Sequence, residues 1–537
     1  MKRISIIAGL LLAGTLACFG ARPKGPITLV ASECGAAGDG KTLNTEILQA
    51  AIDRIGKAGG GTFVVSNGCY LTGGLFLRSN VELRIEAGAT LLGSTNPYDY
   101  TAITLDNIPE GRGMDSSRMG LIVAQGVNNI KITGYGTIDG QGRALALNVD
   151  SLSLLGLIKD PRQAMMAAAQ GPRPPMSAVG GQGAQAQPQQ MMMPQMNTRR
   201  RPSELMRQKL IFCTECDGVL IENLHLRNSS VWGVSFDSCE NVTIKDVDIH
   251  NRAYWNNDGI DMTDSKHVRI SGCNIDAADD GICLKSNRDD AVNEDIVISD
   301  CTIASSASAI KFGTASYGAW KDVHISNIRV KDTFRSAIAI ESVDGAKIED
   351  VTVDGVVARN TGNAIFIRLG QRAGDGNGYI RNVRISNLSC EIPFDRPDVD
   401  YDIRGPIRDT YHNQYPCSIT GIPGSRVEGV VIENVELIYP GRSSKGMGYV
   451  PLDRLDLVSE QERGYPEYSM FGELPAWAFY VRHADDISFR NVRLFLMEED
   501  YRPAFVLDDV KGASFHNVSF PLIQEEGQIF LNNSTTK

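Results

Sequence analysis

The stretches VLIENLHL (219–226), VTIKDVDI (242–249), VRISGCNI (268–275), IVISDCTI (296–303) and VHISNIRV (323–330) repeat one pattern. They begin 23, 26, 28 and 27 residues apart, and further copies start at 346, 383 and 430. Apolar residues alternate with polar ones in each copy, which predicts short strands with one buried face. Because such strands recur without helices between them, we predict an all-β solenoid, a right-handed parallel β-helix.

A second strand follows the first in each repeat and keeps the same frame. The aligned segments are WGVSF (232–236), DGIDM (258–262), DGICL (280–284), SAIKF (308–312), SAIAI (336–340) and NAIFI (363–367). The third and fifth residues are apolar and are expected to face the core, so the first and fourth are expected to face outward. Successive coils of a β-solenoid lie about 4.8 Å apart, so each outward position should form a column along the outside.

This frame gathers carboxylates on adjacent coils. Asp258, Asp279 and Asp280 are predicted to lie together, with Asp261 nearby and Trp232 one coil away. Like charges raise one another's pKa, and glycoside hydrolysis needs one protonated and one ionised carboxyl group. A single Asp-Gly is most often a turn, and an acidic groove also suits Ca²⁺, but the aligned cluster favours catalysis. For Asp261 alone we favour a structural role.

The composition limits the partners of the chain. The 537 residues carry a formal net charge of -11, with an isoelectric point near 5.3, which argues against nucleic acid or anionic lipid as partner. The eleven cysteines do not indicate a disulfide framework, because Cys273 and Cys301 share one repeat position and Cys216 and Cys239 share another. We expect most of them to be free thiols in the core.

The N-terminus has the pattern of an export signal. Residues 1–21 contain a basic start and an apolar run too short to span a membrane. Cleavage before Cys18, which would then be a lipid anchor, and cleavage near Gly20 or Ala21 both remain open. We therefore expect an exported protein that is periplasmic, secreted or anchored to the outer membrane, and a monomer.

The rest of the chain divides into three regions. Residues 22–140 are predicted to form an N-terminal cap, with a capping helix that starts near Asn44, and the first coils. Residues 141–209, rich in Gln, Pro, Met, Ala and Gly, are predicted to be a mobile low-complexity insertion without a packed element. Residues 210–537 are predicted to be the parallel β-helix catalytic region.

Several motifs together resemble glycoside hydrolase family 28, the polygalacturonase-like pectin hydrolases. YWNNDGID (254–261) resembles the Asn-Thr-Asp motif of that family, and ADDGICLKS (278–286) resembles its Asp-Asp motif. The resemblance implies that Asp258 and Asp280 activate water, that Asp279 protonates the leaving oxygen, and that Asn256 shapes the site. It also implies an inverting enzyme that uses no metal or other cofactor.

Two departures from that family concern substrate recognition. Ser308 stands where the Gly-His-Gly histidine is expected, and Ala339-Ile340-Glu341 replaces the Arg-Ile-Lys that grips a galacturonate carboxylate. Glu341 is compatible with a neutral sugar. Three cations of the outer columns are alternative candidates for binding a uronate, with Trp232 as a further substrate-binding residue: Lys285, Lys311 and Arg368.

We therefore predict an exported inverting glycoside hydrolase that acts on pectic or related plant polysaccharides or their oligosaccharides. Two alternatives remain at this stage. A polysaccharide lyase on the same architecture would need Ca²⁺ and a basic residue near the uronate. A non-catalytic carbohydrate-binding β-helix is the other, because the histidine and the Arg-Ile-Lys are missing.

Overall fold

The computed structural model describes residues 25–109, 112–113, 117–158, 205–374, 376–398, 412–521 and 527–537. The predicted export signal, with Cys18, and most of the predicted insertion lie outside these ranges. Within them, no helix combines the length and the apolar character needed to cross a membrane.

The described residues form two α-helices and 33 β-strands. The helices are α1 (Thr45–Lys57) and α2 (Gly142–Leu154). The first sixteen strands are β1 Ile27–Val30, β2 Asp39–Leu43, β3 Gly61–Val65, β4 Gly68–Thr72, β5 Leu75–Phe76, β6 Val81–Ile85, β7 Ala89–Gly93, β8 Gly120–Gln125, β9 Asn128–Gly134, β10 Thr137–Asp139, β11 Lys209–Thr214, β12 Asp217–Glu222, β13 His225–Arg227, β14 Val234–Asp237, β15 Glu240–Lys245 and β16 Asp248–Asn251.

The chain continues with the strands that carry the acid motifs and the C-terminal coils. These are β17 Ile260–Thr263, β18 Lys266–Ser271, β19 Asn274–Ala277, β20 Ile282–Ser286, β21 Val292–Ser299, β22 Thr302–Ser305, β23 Ile310–Ser316, β24 Ala319–Ser342, β25 Lys347–Leu369, β26 Tyr379–Glu391, β27 Cys417–Thr420, β28 Val427–Tyr439, β29 Phe479–Asp485, β30 Ser488–Leu496, β31 Phe505–Lys511, β32 Ser514–Ser519 and β33 Ile529–Asn532.

The strands pair in three parallel stacks, which confirms the predicted β-helix. The first stack runs β1, β3, β6, β9, β12, β15, β18, β21, β24, β25, β26, β28, β30, β32. The second runs β2, β4, β7, β10, β13, β16, β19, β22 and part of β24. The third runs β5, β8, β11, β14, β17, β20, β23, the ends of β24 and β25, then β27, β29, β31, β33. Parallel crossover connections of this kind are right-handed.

The five repeats first recognised in the sequence lie one above another in the first stack. Val219 pairs with Val242, Val242 with Val268, Val268 with Ile296, and Ile296 with Val323. All five side chains are buried in one continuous apolar core. The period of the sequence therefore gives the register of the coils.

The cysteine prediction is confirmed for the described residues, whose ten cysteines are free. Cys216 and Cys239 each donate a weak hydrogen bond to the carbonyl two residues earlier, and so do Cys273 and Cys301. Four thiols with the same local contact are buried in the core, as their shared repeat positions predicted.

The predicted capping helix is α1, which begins directly after Asn44. Its buried residues include Leu48, Ile52 and Ile55, and it packs against β1 and β3, the first two strands of the first stack. The glycines after it let β3 approach β1, because a Cβ on Gly61 would lie 1.9 Å from the carbonyl oxygen of Ile27.

The predicted insertion at 141–209 needs correction at both of its ends. Residues 142–154 form α2, whose buried side chains include Leu145 and Ala146 and, about one turn later on the same face, Val149. At the other end, Lys209 starts β11, and its side chain is buried. The composition of the segment hid these ends, because a short apolar face at its start was averaged with the Gln- and Pro-rich stretch that follows.

Candidate active site

The acid motifs lie on adjacent strands of the third stack. Asp258 precedes β17, and Asp279 and Asp280 precede β20. Ile260 pairs in register with Ile282, so Asp258 and Asp280, each two residues earlier, are neighbours on consecutive coils. A carboxylate oxygen of Asp258 and one of Asp280 lie within 4.8 Å of each other. Adjacent coils therefore bring the predicted acids together.

The glycine after each acid permits this close approach. A Cβ on Gly259 would lie 2.4 Å from the carbonyl oxygen of Gly281, and a Cβ on Gly281 would lie 2.7 Å from that of Ala309. Even the Cβ of alanine would collide at these two positions, so the two coils that carry the acids need glycine there.

The predicted outer columns are present, but most of their side chains are buried. The paired residues of the fourth column are Ser235, Asp261, Cys283, Lys311, Ala339 and Phe366. Asp258, Asp280 and Lys311 are each at most 5 % exposed. Toward the C-terminal coils, Ala339 and Phe366 pack in an apolar cluster with residues of the segment 412–478. The acids therefore lie in a recess, not on an open face.

Lys285 is the counter-ion of the first acids. Its ammonium nitrogen lies 2.7 Å from Asp261 and 3.5 Å from Asp258, and it lies 4.6 Å from the centroid of the Trp232 ring. Burial disfavours the charge, but Asp261 and the neighbouring groups outweigh it and raise the pKa of Lys285 well above its ordinary value. Lys285 is thus engaged with protein carboxylates, and Asp261 is fully buried as its anchor.

Lys311 performs the same task for the second acid. Its Nζ lies 3.4 Å from Asp280 and 3.9 Å from Glu341, and the side chain is buried. Burial raises the pKa of Asp280, but Lys311 and other cations lower it more, so that its pKa falls below the ordinary value. Asp280 is therefore ionised at neutral pH.

Asp258 shifts in the opposite direction. Burial raises the pKa of Asp258 well above its ordinary value, and the adjacent charge of Asp261 raises it further. Two nearby carboxyl groups whose pKa values shift in opposite directions are the arrangement expected where an acid and a base act together. Asp279 is only partly buried, and its backbone is fixed by Ser305, whose hydroxyl donates to the Asp279 carbonyl at 2.5 Å.

Asn256 and Trp232 border the acids on the more exposed side. Both side chains are half-buried, and Asn256 has a left-handed backbone with a φ of 55°. The next residue, Asn257, is buried and donates to the carbonyls of Ser229 and Val231 at 3.0 and 2.7 Å. The turn before Asp258 is therefore held rigidly, while Asn256 and the indole remain accessible.

The two departures from the expected motifs have local consequences. At the histidine position, the backbone N–H of Ser308 donates to Asp280 at 3.0 Å, which supports the ionised carboxylate. At the Arg-Ile-Lys position, Ala339 is part of the apolar cluster and Glu341 is buried. Burial raises the pKa of Glu341 to about 8, although Lys311 opposes this.

Arg368 does not take the role predicted for it. Its guanidinium donates to the backbone carbonyls of Gly421, Glu460 and Gln461, and only 1 % of the residue is exposed. The ring of Phe471 covers it, with the guanidinium carbon 5.2 Å from the ring centroid. Arg368 therefore ties a loop to the coil, and the structure gives it no path to a sugar.

The acids suit lysine counter-ions better than a divalent cation. Asp258, Asp280 and Cys283 are close enough to share an ion, but Lys285 Nζ lies 2.8 Å from the Cys283 sulfur. Ca²⁺ prefers six to eight oxygen ligands, which this set does not supply among the described residues. A second ammonium, that of Lys311, already faces Asp280.

Three site residues were missed from the sequence. Arg335 lies one residue before Ser336, just as Asp279 lies one residue before Asp280 two coils earlier. This shared position in the repeat could have identified Arg335 as a neighbour of the acids. Lys209, which contacts the Trp232 ring at 4.7 Å, was assigned to the insertion. Tyr465, whose ring centroid is 5.4 Å from Lys311 Nζ, comes from a distant loop without any repeat.

Comparison with known proteins identifies relatives of the chain. The profile of the glycosyl hydrolases family 28 matches residues 177–453, just over half of the chain. A probable polygalacturonase of Vitis vinifera is 25 % identical over 66 % of this chain and 59 % of its own length. An exo-poly-alpha-D-galacturonosidase of Dickeya chrysanthemi is 29 % identical over 48 % of this chain and 42 % of its own length. The chain thus spans about half the length of these curated relatives.

Solved structures share the fold. An exopolygalacturonase from Thermotoga maritima superposes with a TM-score of 0.59, at 23 % identity, over 77 % of this chain and 88 % of that one. A family 28 exopolygalacturonase from Yersinia enterocolitica gives a TM-score of 0.57, at 19 % identity, over 96 % of this chain and 78 % of that one. These structures show that the fold is shared, and the profile match over more than half of the chain identifies it as a member of glycosyl hydrolase family 28.

Proposed function

We propose that this protein is an inverting glycoside hydrolase that cleaves glycosidic bonds in pectic polysaccharides or their oligosaccharides. The observation that carries the proposal is the pair Asp258 and Asp280, whose oxygens lie within 4.8 Å and whose pKa values shift in opposite directions. Family membership favours this activity over a lyase or a non-catalytic binding protein.

In the proposed reaction, Asp279 donates a proton to the glycosidic oxygen as the bond to the anomeric carbon breaks. A water between Asp258 and Asp280 attacks the opposite face of that carbon. Asp280 accepts the proton of the water because the adjacent Lys311 keeps this carboxylate ionised. Asp258 orients the water by a hydrogen bond. An attack from the opposite face inverts the configuration.

We infer a uronate-containing substrate from the names of the relatives, which are polygalacturonases and an exo-poly-alpha-D-galacturonosidase. The recess around the acids favours the end of a chain over its middle, because loop residues of 412–478 cover the C-terminal side of the acid column. Release of single sugars from oligogalacturonides would support this exo action.

The product anomer tests the proposal. Proton NMR of the first minutes of digestion of an α-linked oligogalacturonide should show the β anomer before mutarotation. An initial α anomer would indicate retention and would contradict the water-activation scheme. An unsaturated product that absorbs in the ultraviolet would instead indicate a lyase.

We also propose that the chain is exported and that Cys18 or a nearby residue is the new N-terminus. The support is the basic and apolar pattern of residues 1–21. Cell fractionation with radiolabelled palmitate tests it: label in the wild type that is lost in Cys18→Ala supports the lipid anchor. Unlabelled protein outside the cytoplasm supports ordinary cleavage.

A further inference from the structure

The cations around the acids differ in how many partners they already have. Lys285 and Lys311 each face two carboxylates within 4 Å, and Arg368 donates to three backbone carbonyls. Arg335 has one ion pair, to Glu467 at 3.3 Å, and its side chain makes no hydrogen bond to the described residues. Of these four cations, Arg335 therefore has the fewest partners among the described residues.

The side chain of Arg335 is nearly buried, although its donors are not all satisfied. Its side chain is only 14 % exposed, and its Nε is buried without a hydrogen-bond acceptor in the described part of the chain. A buried donor without an acceptor costs free energy, which a ligand that accepts the hydrogen bond would recover. The guanidinium is a planar fork that matches the two oxygens of a carboxylate.

Arg335 also lies within reach of a substrate at the acids. Arg335 stands at the same position of its repeat as Asp279 does, two coils further along the solenoid. At about 4.8 Å per coil, the backbones of the two residues are about 9.6 Å apart. The backbone agrees, because the N–H of Arg335 donates to the carbonyl of Ala307, the residue at the same frame position on the coil between them. Asp279 and Asp280 both act on the pKa of Arg335, which is raised above its ordinary value although burial lowers it.

An exposed aromatic ring borders the same corner. Tyr465 is 54 % exposed, and its ring centroid lies 5.4 Å from Lys311 Nζ. Tyr465 is also among the groups that act on Arg335. The half-buried Trp232 lies on the opposite side of the acids, at the first-column position one coil before Asp258. A sugar chain across the acids would therefore meet an aromatic ring on both sides, with an arginine on only one.

We propose that Arg335, bordered by Tyr465, forms a subsite that binds the carboxylate of a uronate residue of the substrate. This proposal rests on the proposed hydrolase function and names the group that distinguishes its substrate from a neutral sugar. Glu467 holds the guanidinium in place while the subsite is empty.

The decisive experiment compares a charged substrate with its neutral ester. In Arg335→Gln, kcat/KM for an oligogalacturonide should fall about 10- to 100-fold, the loss expected for a hydrogen-bonded charged pair, while kcat/KM for the methyl ester should change less than about threefold. Arg335→Lys keeps the positive charge but loses the planar guanidinium. Its kcat/KM for the oligogalacturonide should lie between those of the wild type and Arg335→Gln. Arg329→Gln, at an exposed arginine of the same strand, is the matched control and should change neither.

Binding separates this subsite from the chemistry. In an Asp279→Asn background, calorimetry should show that trigalacturonate binds about 10-fold or more tightly than its methyl ester, and that Arg335→Gln removes this preference. Equal losses on the charged and the ester substrate would overturn the proposal, because they would mean that Arg335 positions the acids instead. Unchanged kinetics in Arg335→Gln would overturn it too.

The two proposals fail in different ways. If the wild type cleaves no glycoside but the calorimetric preference depends on Arg335, the hydrolase function fails and the carboxylate subsite stands. If the wild type cleaves oligosaccharides without preference for the charged form, the hydrolase function stands and the subsite is refuted.

Discussion

The third stack carries two kinds of outer surface on one regular backbone. In its middle coils the fourth column holds Ser235, Asp261, Cys283 and Lys311, which surround the acids. Five residues of the same column in the C-terminal coils are Ala339, Phe366, Ser418, Tyr480 and Val506. Four of these five pack in an apolar cluster with side chains of the loop segment, including Phe471.

The difference shows how a repeating fold makes a single site. The hydrogen-bonded ladder is the same in both regions, so the backbone does not distinguish them. The middle coils carry buried acids that need Lys285 and Lys311 as counter-ions, whereas the C-terminal coils are covered by an apolar loop. We therefore expect substitutions in the middle coils to change catalysis and substitutions under the loop to change stability.

Asp279→Asn should have the largest effect on activity. It removes the proposed proton donor, and general acid catalysis contributes about 10²- to 10⁴-fold to the rate. The residue is only partly buried and the substitution keeps its shape, so the melting temperature should stay near that of the wild type. Asp289→Asn, at an exposed acid, is the control and should retain full activity. Turnover at the wild-type rate in Asp279→Asn would remove the assignment.

Phe471→Ala tests the other side of the comparison. The ring is buried over Arg368 and beside Tyr480, so its loss should destabilise the protein by about 3–5 kcal/mol in chemical denaturation. The kcat/KM of the folded variant should stay within about threefold of the wild type.

The control for the loop is Phe495→Ala, at an exposed phenylalanine of the first stack. Its loss should lower the free energy of unfolding by less than about 0.5 kcal/mol. A Phe471→Ala protein that keeps its stability but loses activity would contradict the division between the two regions. It would mean that Phe471 shapes the site too, in addition to Tyr465 and Glu467 of the same loop.

The sequence predicted the coils and the acids because both depend on a period. Asp258 and Asp280 occupy the same frame position, and their register follows from the isoleucines two residues later. The direction in which their side chains point follows from the same alternation. These features depend only on the period of the sequence, so the repeat alone is sufficient to predict them.

The environment of the acids could not be read from the repeat. Glu467 and Tyr465, which lie near Arg335 and Lys311, come from a loop more than 100 residues away in the sequence and without a period. This loop turns the predicted open groove into a recess. It also supplies the carbonyl groups that engage Arg368, which the column position alone had suggested as a substrate ligand.

Glu341→Gln should have the smallest of these effects, a change in how stability depends on pH. It tests where the charged middle coils end and the covered C-terminal coils begin. Burial raises the pKa of Glu341 from an ordinary value of 4.5 to about 8, so the folded state binds the proton more tightly than the unfolded state. The stability that this gives is complete below pH 4.5 and is lost as the pH rises through 8. The variant lacks the carboxyl group, so its stability relative to wild type should rise between pH 5 and pH 9, by about 1–3 kcal/mol in urea.

Glu349→Gln is the control: its pKa is lowered, chiefly by a hydrogen bond from Arg381, so the difference from wild type should stay constant over that range. If the difference in free energy of unfolding between Glu341→Gln and the wild type also stays constant, Lys311 keeps Glu341 ionised in the folded protein. The charged region of the middle coils would then include the coil of Glu341.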